Sequence, residues 1–538
     1  MIQKSIGLIL IFSYFLGTGN SRQLFVSSAT GDDHHDGTTM ALALKTLQYA
    51  ANMSQPGDTI NIAQGIYRSG QKNLLRISQN GTVDHWIYYK AYGQERPILY
   101  ISNESAISFN LASYIQIEGL EITQDPEYIS RFSNFDQKDN ITSKGNGILF
   151  ERSRNEGYLS HHIRLKNNFI HDCPGTAIDV NSADYLDFVF NTIQANGNLS
   201  SNNNCGIRMQ FLSAFDQKPG DHIQIMYNSI SDHRQQGALA RINNTCEESY
   251  GGAGIAMRNN RFDPYQANRP AYQHGILISN NIIYLNGGPG IDIFETNNLS
   301  LINNTLYQNN QNNESRCGGI VIDKTKGVRA YNNIIAARLG LPGSAVNNYE
   351  GVSFKNNLYA NTKIYFKGEK DLNEDPLFTT TDHHLGQYNF ELRPKSSAIN
   401  TGFNELLSPY DFQGNIRLIN GRVDMGAIEY SGSLPKPRDH EQAKVDRRHI
   451  TVTWQYSYAQ TTGQIIILNS KGERFCARLY NNTGKLLAQE MNIDGSRRGV
   501  EFDVSGYPSG LYFVVSYSDT EKISTRYFVQ NQFAGRGR

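Results

Sequence analysis

The sequence predicts an all-β protein in which a parallel β-helix occupies most of the chain and a small β-sandwich follows it. Short apolar strands recur along the chain, and corners that contain asparagine separate them. These corners are spaced 23, 37, 53, 23, 29 and 24 residues apart, at Asn168, Asn191, Asn228, Asn281, Asn304, Asn333 and Asn357. A base period near 23 residues, with insertions, is typical of a solenoid. Because every element within the period is a short strand, the solenoid is a parallel β-helix.

Asparagine suits these corners for two physical reasons. Each coil turns sharply, and asparagine tolerates the left-handed backbone conformation better than most side chains do. Stacked coils also place one asparagine above another, so that their amides can bond along the stack. An asparagine-rich disordered segment is the alternative, but isoleucine, leucine and valine recur in register beside each asparagine. We therefore expect an ordered solenoid.

The N-terminal residues predict export. Lys4 precedes an apolar run over 6–16, and small and polar residues follow over 17–21. This pattern is typical of a secretory signal peptide over 1–21. The run is too short to span a bilayer, so we expect no transmembrane segment. The protein is predicted to pass through the periplasm and to be secreted or held at the cell surface.

Composition excludes several classes of function. The chain has 50 basic and 50 acidic residues, which does not suggest a nucleic-acid footprint or a polybasic membrane patch. Its five cysteines lack the CxxC or histidine spacing of a zinc site. We expect a monomer that has no nucleic-acid partner.

The solenoid is predicted to begin with a capping region and first coils over 22–100 and to continue over 101–430. Residues 41–53 have helical spacing, and such a helix would cover the apolar interior of the first coil. The segment 25–68, FVSSATGDD…GDTINIAQGIYR, resembles the start of secreted right-handed parallel β-helix proteins of the pectin-lyase-like kind, which include polysaccharide lyases. The resemblance implies a right-handed helix and is less informative about chemistry.

The end of the solenoid carries a second resemblance. The segments SSAINTG (396–402), DFQGNIR (411–417) and RVDMGAIEY (422–430) are similar to the closing segment of bacterial surface β-helix proteins. We expect a structural cap there, in which Asp411, Asp424 and Glu429 accept hydrogen bonds from turn amides.

A linker over 431–448 and a β-sandwich over 449–538 complete the chain. Seven alternating strands are predicted in the sandwich. The segments LYNNTGKLLAQ (479–489) and FDVSGYPSGLYFVVSYSDTEKISTRYFV (502–529) resemble the C-terminal sorting domain of the type IX secretion system of Bacteroidota. That resemblance implies the type IX secretion machinery as a partner. A plain carbohydrate-binding or immunoglobulin-like module is the alternative.

Function in a β-helix must use outward side chains, because the inward ones fill the core. Alternation along the strands that follow the glycine corners directs five charged residues outward, with two more near the edge of the same face. Adjacent coils lie about 4.8 Å apart, so these residues should form a charged strip. Its members are Asp179, Arg208, Arg258, Asp292 and Asp323, with Glu295 and Lys324 at the edge.

The long insertions indicate the same face. They lie around 195–221, 233–253 and 259–274, and long loops on one side of a scaffold usually form binding walls. Arginine suits carboxylates and sulfates, and tyrosine gives flat surfaces for sugar rings. We therefore predict that an acidic polysaccharide binds there. The candidate residues in the insertions are Arg241, Arg261, Arg269, Tyr265, Tyr272 and His274.

Three functions remain open from the sequence. The first is cleavage of a uronate chain by β-elimination, which needs a cation at the carboxylate and a base for the C5 proton. Arg208, Arg258 or calcium would supply the charge, and Lys324, His274 or Tyr272 the base. Asp179, Asp292 and Glu295 are the candidate calcium ligands. The second is hydrolysis by Asp292 and Asp323, which occupy successive coils, so that their carboxyl groups could lie about 5 to 7 Å apart, as in paired glycosidase carboxylates. The third is glycan binding without catalysis, as in an adhesin.

Overall fold

The architecture is a parallel β-helix followed by an antiparallel hairpin and two larger antiparallel sheets, as seen in a computed structural model. The structure describes residues 21–93, 95–126, 145–152, 158–197, 204–234, 251–261, 270–312, 317–382, 387–418, 421–430 and 432. In the C-terminal region it describes seven strands between 454 and 529. The predicted signal peptide, except its last residue, and nearly all of the predicted linker lie outside the described residues.

The strands of the helix are short, and most have three to seven residues. In chain order they are β1 (Gln23–Val26), β2 (Thr59–Ala63), β3 (Ile66–Tyr67), β4 (Asn73–Ile77), β5 (Ile87–Tyr92), β6 (Ile98–Tyr100), β7 (Ser105–Phe109), β8 (Ser113–Glu118), β9 (Glu121–Thr123), β10 (Asn146–Phe150), β11 (Ser160–Lys166), β12 (Phe169–His171), β13 (Ile178–Asn181), β14 (Ala183–Val189), β15 (Thr192–Gln194), β16 (Ile207–Gln210), β17 (Asp221–Met226), β18 (Ser229–Ser231), β19 (Ile255–Arg258), β20 (Gly275–Ser279), β21 (Ile282–Tyr284), β22 (Ile291–Phe294), β23 (Leu299–Ile302), β24 (Thr305–Tyr307), β25 (Ile320–Lys326), β26 (Val328–Tyr331), β27 (Ile334–Ala336), β28 (Ser344–Glu350), β29 (Ser353–Lys355), β30 (Leu358–Ala360) and β31 (Leu372–Asn373).

Three parallel sheets run the length of the helix, and each full coil contributes one strand to each sheet. Sheet A has the order β1-β2-β5-β8-β11-β14-β17-β20-β23-β26-β29, and sheet B has the order β3-β6-β9-β12-β15-β18-β21-β24-β27-β30-β31. Sheet C has nine strands in the order β4-β7-β10-β13-β16-β19-β22-β25-β28. From β2 to β30, each strand therefore pairs with the third strand along the chain, which is the pattern of a right-handed parallel β-helix. The predicted fold class is confirmed.

The corner between sheets A and B contains the predicted asparagine ladder. In each coil from β8 to β30 the corner is two residues long, and its first residue is left-handed, as in Asn280 with φ 56°. From Asn168 onwards the second residue is the ladder asparagine, whose Nδ2 donates to Oδ1 of the next one: Asn281 donates to Asn304 at 3.0 Å. The same Nδ2 also donates to the carbonyl of Ile225, so the amide joins three coils. The ladder prediction is confirmed, with the left-handed role held by the preceding residue.

The N-terminal end is covered by a helix that is shorter than predicted. Helix α1 spans Leu47–Met53, and a separate 3-10 turn spans Met40–Leu42. Leu44 between them is extended, because its N–H donates to the Phe25 carbonyl at 2.8 Å, and the Thr46 side chain then caps α1. The buried side chains of α1 join the solenoid core, as expected of a cap. Among the described residues, no helix has the length and apolar character to cross a membrane.

The chain after the last coil folds back along the side of the solenoid, and not over its end. It begins with the hairpin β32 (Phe378–Asp382) and β33 (Gln387–Leu392). Its apolar residues pack on outward side chains of sheet B in one cluster and of sheet A in another. Neither cluster contains a residue of sheet C, so the outer face of sheet C stays clear of this packing. A functional site on the solenoid is therefore best placed on sheet C.

The acidic residues of the closing segment accept backbone N–H groups, as expected, but the segment lies along the side of the solenoid and does not cap its end. Asp424 accepts the N–H groups of Asn400 and Tyr430, both at 2.6 Å, and Asp411 and Glu429 likewise accept backbone N–H groups. The fully buried Arg417 donates to Glu429 at 2.7 Å and also to Asn280 at the A–B corner of the solenoid. These charged groups tie the returning segment to the coils.

The C-terminal region has the seven predicted strands. They are β34 (Trp454–Ala459), β35 (Gln464–Asn469), β36 (Arg474–Asn481), β37 (Leu486–Asp494), β38 (Val500–Asp503), β39 (Gly510–Ser518) and β40 (Lys522–Val529). They form antiparallel sheets of three strands, β34-β35-β38, and four strands, β37-β36-β39-β40. Two small antiparallel sheets are the arrangement expected of a β-sandwich.

The ladder makes a direct prediction about stability. Replacing Asn281 by alanine leaves the buried N–H of Asn228 and the carbonyl of Ile225 without their side-chain partner. We expect the Asn281→Ala variant to lose about 3 kcal/mol of unfolding free energy, because each unsatisfied buried group costs about 1–3 kcal/mol. Urea denaturation measures this loss. The exposed Asn103→Ala variant is the control, and an equal midpoint for the two variants would contradict the role of the ladder.

A second ladder at the end of the sheet B strands contains a histidine. His233 stands between Asn196 and Asn286, and its Nδ1 accepts the N–H of Asn196 at 3.1 Å. The ring is fully buried and its Nε2 has no hydrogen-bond partner. Burial lowers the pKa of His233 to about 3, so this residue is neutral in the folded protein.

His233 makes folding sensitive to acid. Its pKa is about 3 in the folded state and about 6.5 in an unfolded chain, so below pH 6.5 only the unfolded state gains its proton. Stability is therefore lost as the pH falls through this window, and the loss amounts to about 2 kcal/mol at pH 5. The His233→Asn variant keeps an acceptor for Asn196 and should lose that much less between pH 7 and pH 5. Equal losses in urea titrations of both proteins would refute the effect.

Candidate functional site

The outer face of sheet C carries two parallel rows of side chains across five neighbouring strands, β13, β16, β19, β22 and β25. We call these rows the strip. In strand order, the first row contains Asp179, Arg208, Ala256, Asp292 and Val321. The second row contains Asn181, Gln210, Arg258, Phe294 and Asp323. The sequence-predicted residues Asp179, Arg208, Arg258, Asp292 and Asp323 thus all lie on one face.

Their positions along the strands differ from the prediction in one respect. Asp292 and Asp323 occupy successive coils, as expected, but they are not side by side, because Asp292 is paired with Val321, and Asp323 is paired with Phe294. The offset of two residues corresponds to a backbone separation of about 8 Å. Aligning GIDIF with GIVID on their glycines would have shown the offset in the sequence.

Two ion pairs occupy the strip. Arg208 binds Asp179 through both ends of its guanidinium, with Nε–Oδ1 at 3.0 Å and Nη2–Oδ2 at 2.7 Å. Arg258 donates from Nη2 to Oδ2 of Asp292 on the next strand. These pairs are recessed, because Asp179 and Asp292 are only 3% and 2% exposed. The predicted charged strip is therefore a set of buried pairs, since each carboxylate needs a cation to offset its desolvation.

Asp292 is electrostatically distinct within the strip. Burial raises its pKa above the ordinary range, while the Arg258 guanidinium acts in the opposite direction. The charge of Asp323 raises the pKa of Asp292 further, so the two carboxyl groups are close enough to interact. Asp323 in turn accepts a hydrogen bond from the side chain of Asn348 at 2.8 Å. The pair thus consists of two carboxyl groups in different environments.

The edge of the strip is built around the ring of Phe294. The guanidinium of Arg258 lies 5.6 Å from its centroid, and the ammonium of Lys324 lies 4.9 Å from it. Lys324 also makes a long ion pair with Glu295 at 3.8 Å, and its side chain is half exposed. Arg261 donates to the Lys324 carbonyl at 2.8 Å. A guanidinium and an ammonium therefore flank one aromatic ring.

The predicted calcium ligands are not assembled into one site. Asp179 and Asp292 lie three strands apart, which corresponds to about 14 Å, so one ion cannot bind both. Asp179, Asp292 and Glu295 also each face a cationic side chain already. These residues do not fit a calcium cage.

The insertions border sheet C, as the sequence indicated. The corners between sheets A and B have two residues from β8 onwards, whereas the turns before and after β19 run over 232–254 and 259–274. Since β19 carries Arg258, both turns begin or end beside the strip. Arg241, Tyr265 and Arg269 lie outside the described residues.

Tyr272 and His274 do not join the strip. Both are buried directly before strand β20 of sheet A, where the Tyr272 hydroxyl donates to Asp184 at 2.6 Å. The Asp184 carboxylate also accepts from the backbone N–H of Phe215 at 2.7 Å and contacts Nδ1 of His222 at 3.1 Å. We call Asp184, His222, Tyr272 and His274 the corner network. Residues 88 positions apart meet there, which local sequence patterns do not reveal.

Three members of the corner network have the side chains of a metal site. Ligand atoms of Asp184, His222 and His274 all lie within 4.8 Å of one another. However, the two imidazole rings are stacked, with centroids 3.7 Å apart and planes at 7°. Lone pairs in two parallel planes cannot converge on one ion at a coordination distance near 2.1 Å. The arrangement therefore fits a hydrogen-bonded network better than a metal site.

A stack of rings extends from this network along the helix axis. Its successive centroid distances are 4.5, 4.2, 3.8 and 3.7 Å. Sequence reasoning missed the stack, although an aromatic residue near the start of five successive sheet A strands was a visible signal. The members are Tyr114, His162, Tyr185, His222 and His274.

No protein-family model and no curated protein matches the chain. Among solved structures, a pectate lyase, Pel9A, is similar over 77% of this chain and 98% of its own, with 15% identity and a TM-score of 0.46. XylC in complex with xylose covers 76% and 99%, with 12% identity and a TM-score of 0.43. A GH136 lacto-N-biosidase from Eubacterium ramulus covers 63% and 56%, with 18% identity and a TM-score of 0.37. At these identities the likeness concerns the fold alone.

From the contacts of the corner network, we expect Tyr272 to contribute to the stability of the fold and not to catalysis. Replacing Tyr272 by phenylalanine removes one donor from the buried Asp184 carboxylate, and we expect a loss of about 1–2 kcal/mol in unfolding free energy. Thermal and urea unfolding measure it, with the exposed Tyr158→Phe variant as the control. An unchanged stability with loss of catalytic turnover would instead make Tyr272 the predicted base.

Proposed function

We propose that this protein cleaves a polysaccharide at the outer face of sheet C by hydrolysing a glycosidic bond. The observation that carries the proposal is the pair Asp292 and Asp323 on neighbouring strands, with burial raising the pKa of Asp292. Glycoside hydrolysis uses two carboxyl groups whose surroundings keep one protonated and the other ionised.

The roles follow from the two environments. Asp292 is the general acid, because a carboxyl group with a raised pKa keeps its proton at higher pH and can give it to the leaving oxygen. Asp323 is the nucleophile or the base that activates water, held in place by Asn348. Arg258 is a positioning residue that orients Asp292. Activity should fall as the pH rises through the pKa of Asp292, above the ordinary aspartate value of about 3.9.

Access to the carboxyl groups requires movement. Asp292 is 2% exposed and Asp323 is 4% exposed, so neighbouring side chains must move aside when a glycan binds. The same burial excludes bulk water, which strengthens the electrostatic effect of Arg258 on the reacting groups.

A second candidate is β-elimination on a uronate-containing polysaccharide. The placement of Arg258 and Lys324 on the two sides of Phe294 favours it. Arg258 would neutralise the uronate carboxylate once it exchanged Asp292 for substrate, and Lys324 would take the C5 proton. Because Arg258 is already paired, this chemistry needs a change of partner that hydrolysis does not need.

The location of the activity is proposed from the sequence. The signal-peptide pattern over 1–21 supports export, and the resemblance of 449–538 to a sorting domain supports the type IX secretion machinery as the route to the cell surface or medium. A polysaccharide outside the cell is the substrate class that fits this route.

One assay separates the candidate functions. Wild type is incubated with polygalacturonate, alginate, glycosaminoglycans and neutral glycans such as xylan, with and without calcium, while reducing ends and the ultraviolet absorbance of a C4=C5 double bond are recorded. We expect reducing ends without absorbance. The Asp292→Asn and Asp323→Asn variants should each lower the rate by roughly 10²–10⁴-fold, the usual contribution of a general acid or base. Glu350→Gln, an exposed carboxylate on the last strand of sheet C, is the matched control.

The other outcomes are equally informative. A joint rise of both signals would replace hydrolysis by elimination and direct attention to Arg258 and Lys324. Full activity in both aspartate variants would place the site elsewhere. Glycan binding without either signal would make the strip a recognition surface.

A further inference from the structure

We propose that Phe215 is a glycan-stacking platform beside the strip, held in place by the corner network, an inference that rests on the proposed carbohydrate substrate. Phe215 lies in the turn over 211–220, which begins directly after Gln210 of the strip. Its side chain is exposed, at 43% for the residue, on the border where sheet C leads into sheet A. A glycan bound on the strip could therefore contact Phe215 at the edge of sheet C.

An exposed phenylalanine by itself is ordinary on a protein surface. Phe215 differs because its ring is fixed on one face. It stacks on His161 with centroids 3.7 Å apart and planes at 25°, and it meets His162 and Tyr185 edge-on at 5.7 and 6.4 Å. One face of the ring is thus covered by His161, and the exposure of Phe215 leaves part of the ring to solvent.

The backbone of the turn is fixed as well. Four hydrogen bonds from three other strands or turns hold residues 215–218. The Phe215 N–H donates to Asp184, and the Asp216 carboxylate accepts the hydroxyl of Tyr185 at 2.7 Å. The Asp216 and Lys218 carbonyls accept from Nε2 of His274 and Nε2 of His222, both at 2.8 Å. The corner network therefore positions an exposed ring.

Such preorganisation is what a binding surface requires. A ring that is already ordered loses little entropy when a ligand stacks on it, so more of the contact energy appears as affinity. A flat aromatic ring binds the apolar face of a sugar ring without any charged group. This suits the strip, in which Arg208 is paired with Asp179 and Arg258 with Asp292. The ligand is thus a glycan chain bound by ring stacking, irrespective of its carboxylate content.

A second exposed aromatic residue lies on the same border. Tyr158 is 63% exposed in the turn between β10 and β11, the equivalent turn two coils away, which corresponds to about 10 Å along the axis. Arg152, which follows β10, lies over the ring of Phe211, which follows β16, at 4.4 Å, so the two turns are in contact. The border therefore carries exposed aromatic residues on two of its coils.

Affinity electrophoresis in native gels that contain xylan, polygalacturonate or alginate tests the platform without requiring catalysis. Wild type should be retarded in at least one gel, and the Phe215→Ala variant should bind that glycan roughly tenfold more weakly. Phe215→Trp should retain binding, because it restores a flat ring. Tyr365→Ala removes an aromatic residue that is 73% exposed beyond the last coil and should bind as wild type does.

Unfolding curves of all variants guard against a folding effect, since Phe215→Trp and Phe215→Ala should both keep the wild-type midpoint. If Phe215→Ala binds as tightly as wild type, or if wild type is retarded in no gel, the platform is overturned. Neither result depends on product formation. If Phe215 does not contribute to binding but the protein cleaves the glycan, the reducing-end assay still detects that cleavage. Where product forms, Phe215→Ala should raise KM about tenfold with kcat unchanged.

Discussion

Each coil can stack directly on the next only if the corner between sheets A and B keeps one length, and the asparagine ladder imposes that constraint. A ladder asparagine accepts a backbone N–H of the coil below and donates to a carbonyl of that coil and to the next asparagine. All three partners are buried, so an altered corner length would leave polar groups without partners in an apolar interior. The amides therefore favour one length for this corner in successive coils.

This constraint determines where the protein can vary. From β8 onwards the A–B corner has no insertion, and the insertions appear on both borders of sheet C. The returning segment after β31 adds a second restriction, because it packs on the outer faces of sheets A and B. Sheet C is left with long turns on either side and polar side chains on its surface. The proposed site thus lies on sheet C because the corner between sheets A and B carries no long turns and the returning segment packs on the outer faces of these two sheets.

Two polar clusters lie close to each other in the fold but have different physical roles. On the strip, Arg208 binds Asp179 and Arg258 donates to Asp292, and burial raises the pKa of Asp292 against the effect of its arginine. In the corner network, one carboxylate accepts hydrogen bonds from a backbone N–H of a turn and from a tyrosine hydroxyl, it contacts a histidine, and the stacked rings fill the space around it. The first cluster adjusts charge where a reaction is proposed, and the second holds a turn in place. The buried polar groups of the strip are thus proposed to act in the reaction itself, whereas those of the corner network hold the backbone of a turn in position.

The sequence by itself determined the solenoid, the ladder and the identity of the outward charged residues. These follow from local rules, namely the period of the asparagine corners and the alternation of side chains along a strand. It also predicted the seven C-terminal strands to within a few residues. The tertiary structure decided the rest. The pairing of Arg258 with Asp292, the convergence of Tyr272, His222 and Phe215 on Asp184, and the path of the returning segment along the side all join residues from different coils. Such contacts depend on the lengths of the intervening turns and on which surfaces remain open after stacking, and neither is encoded in a local pattern.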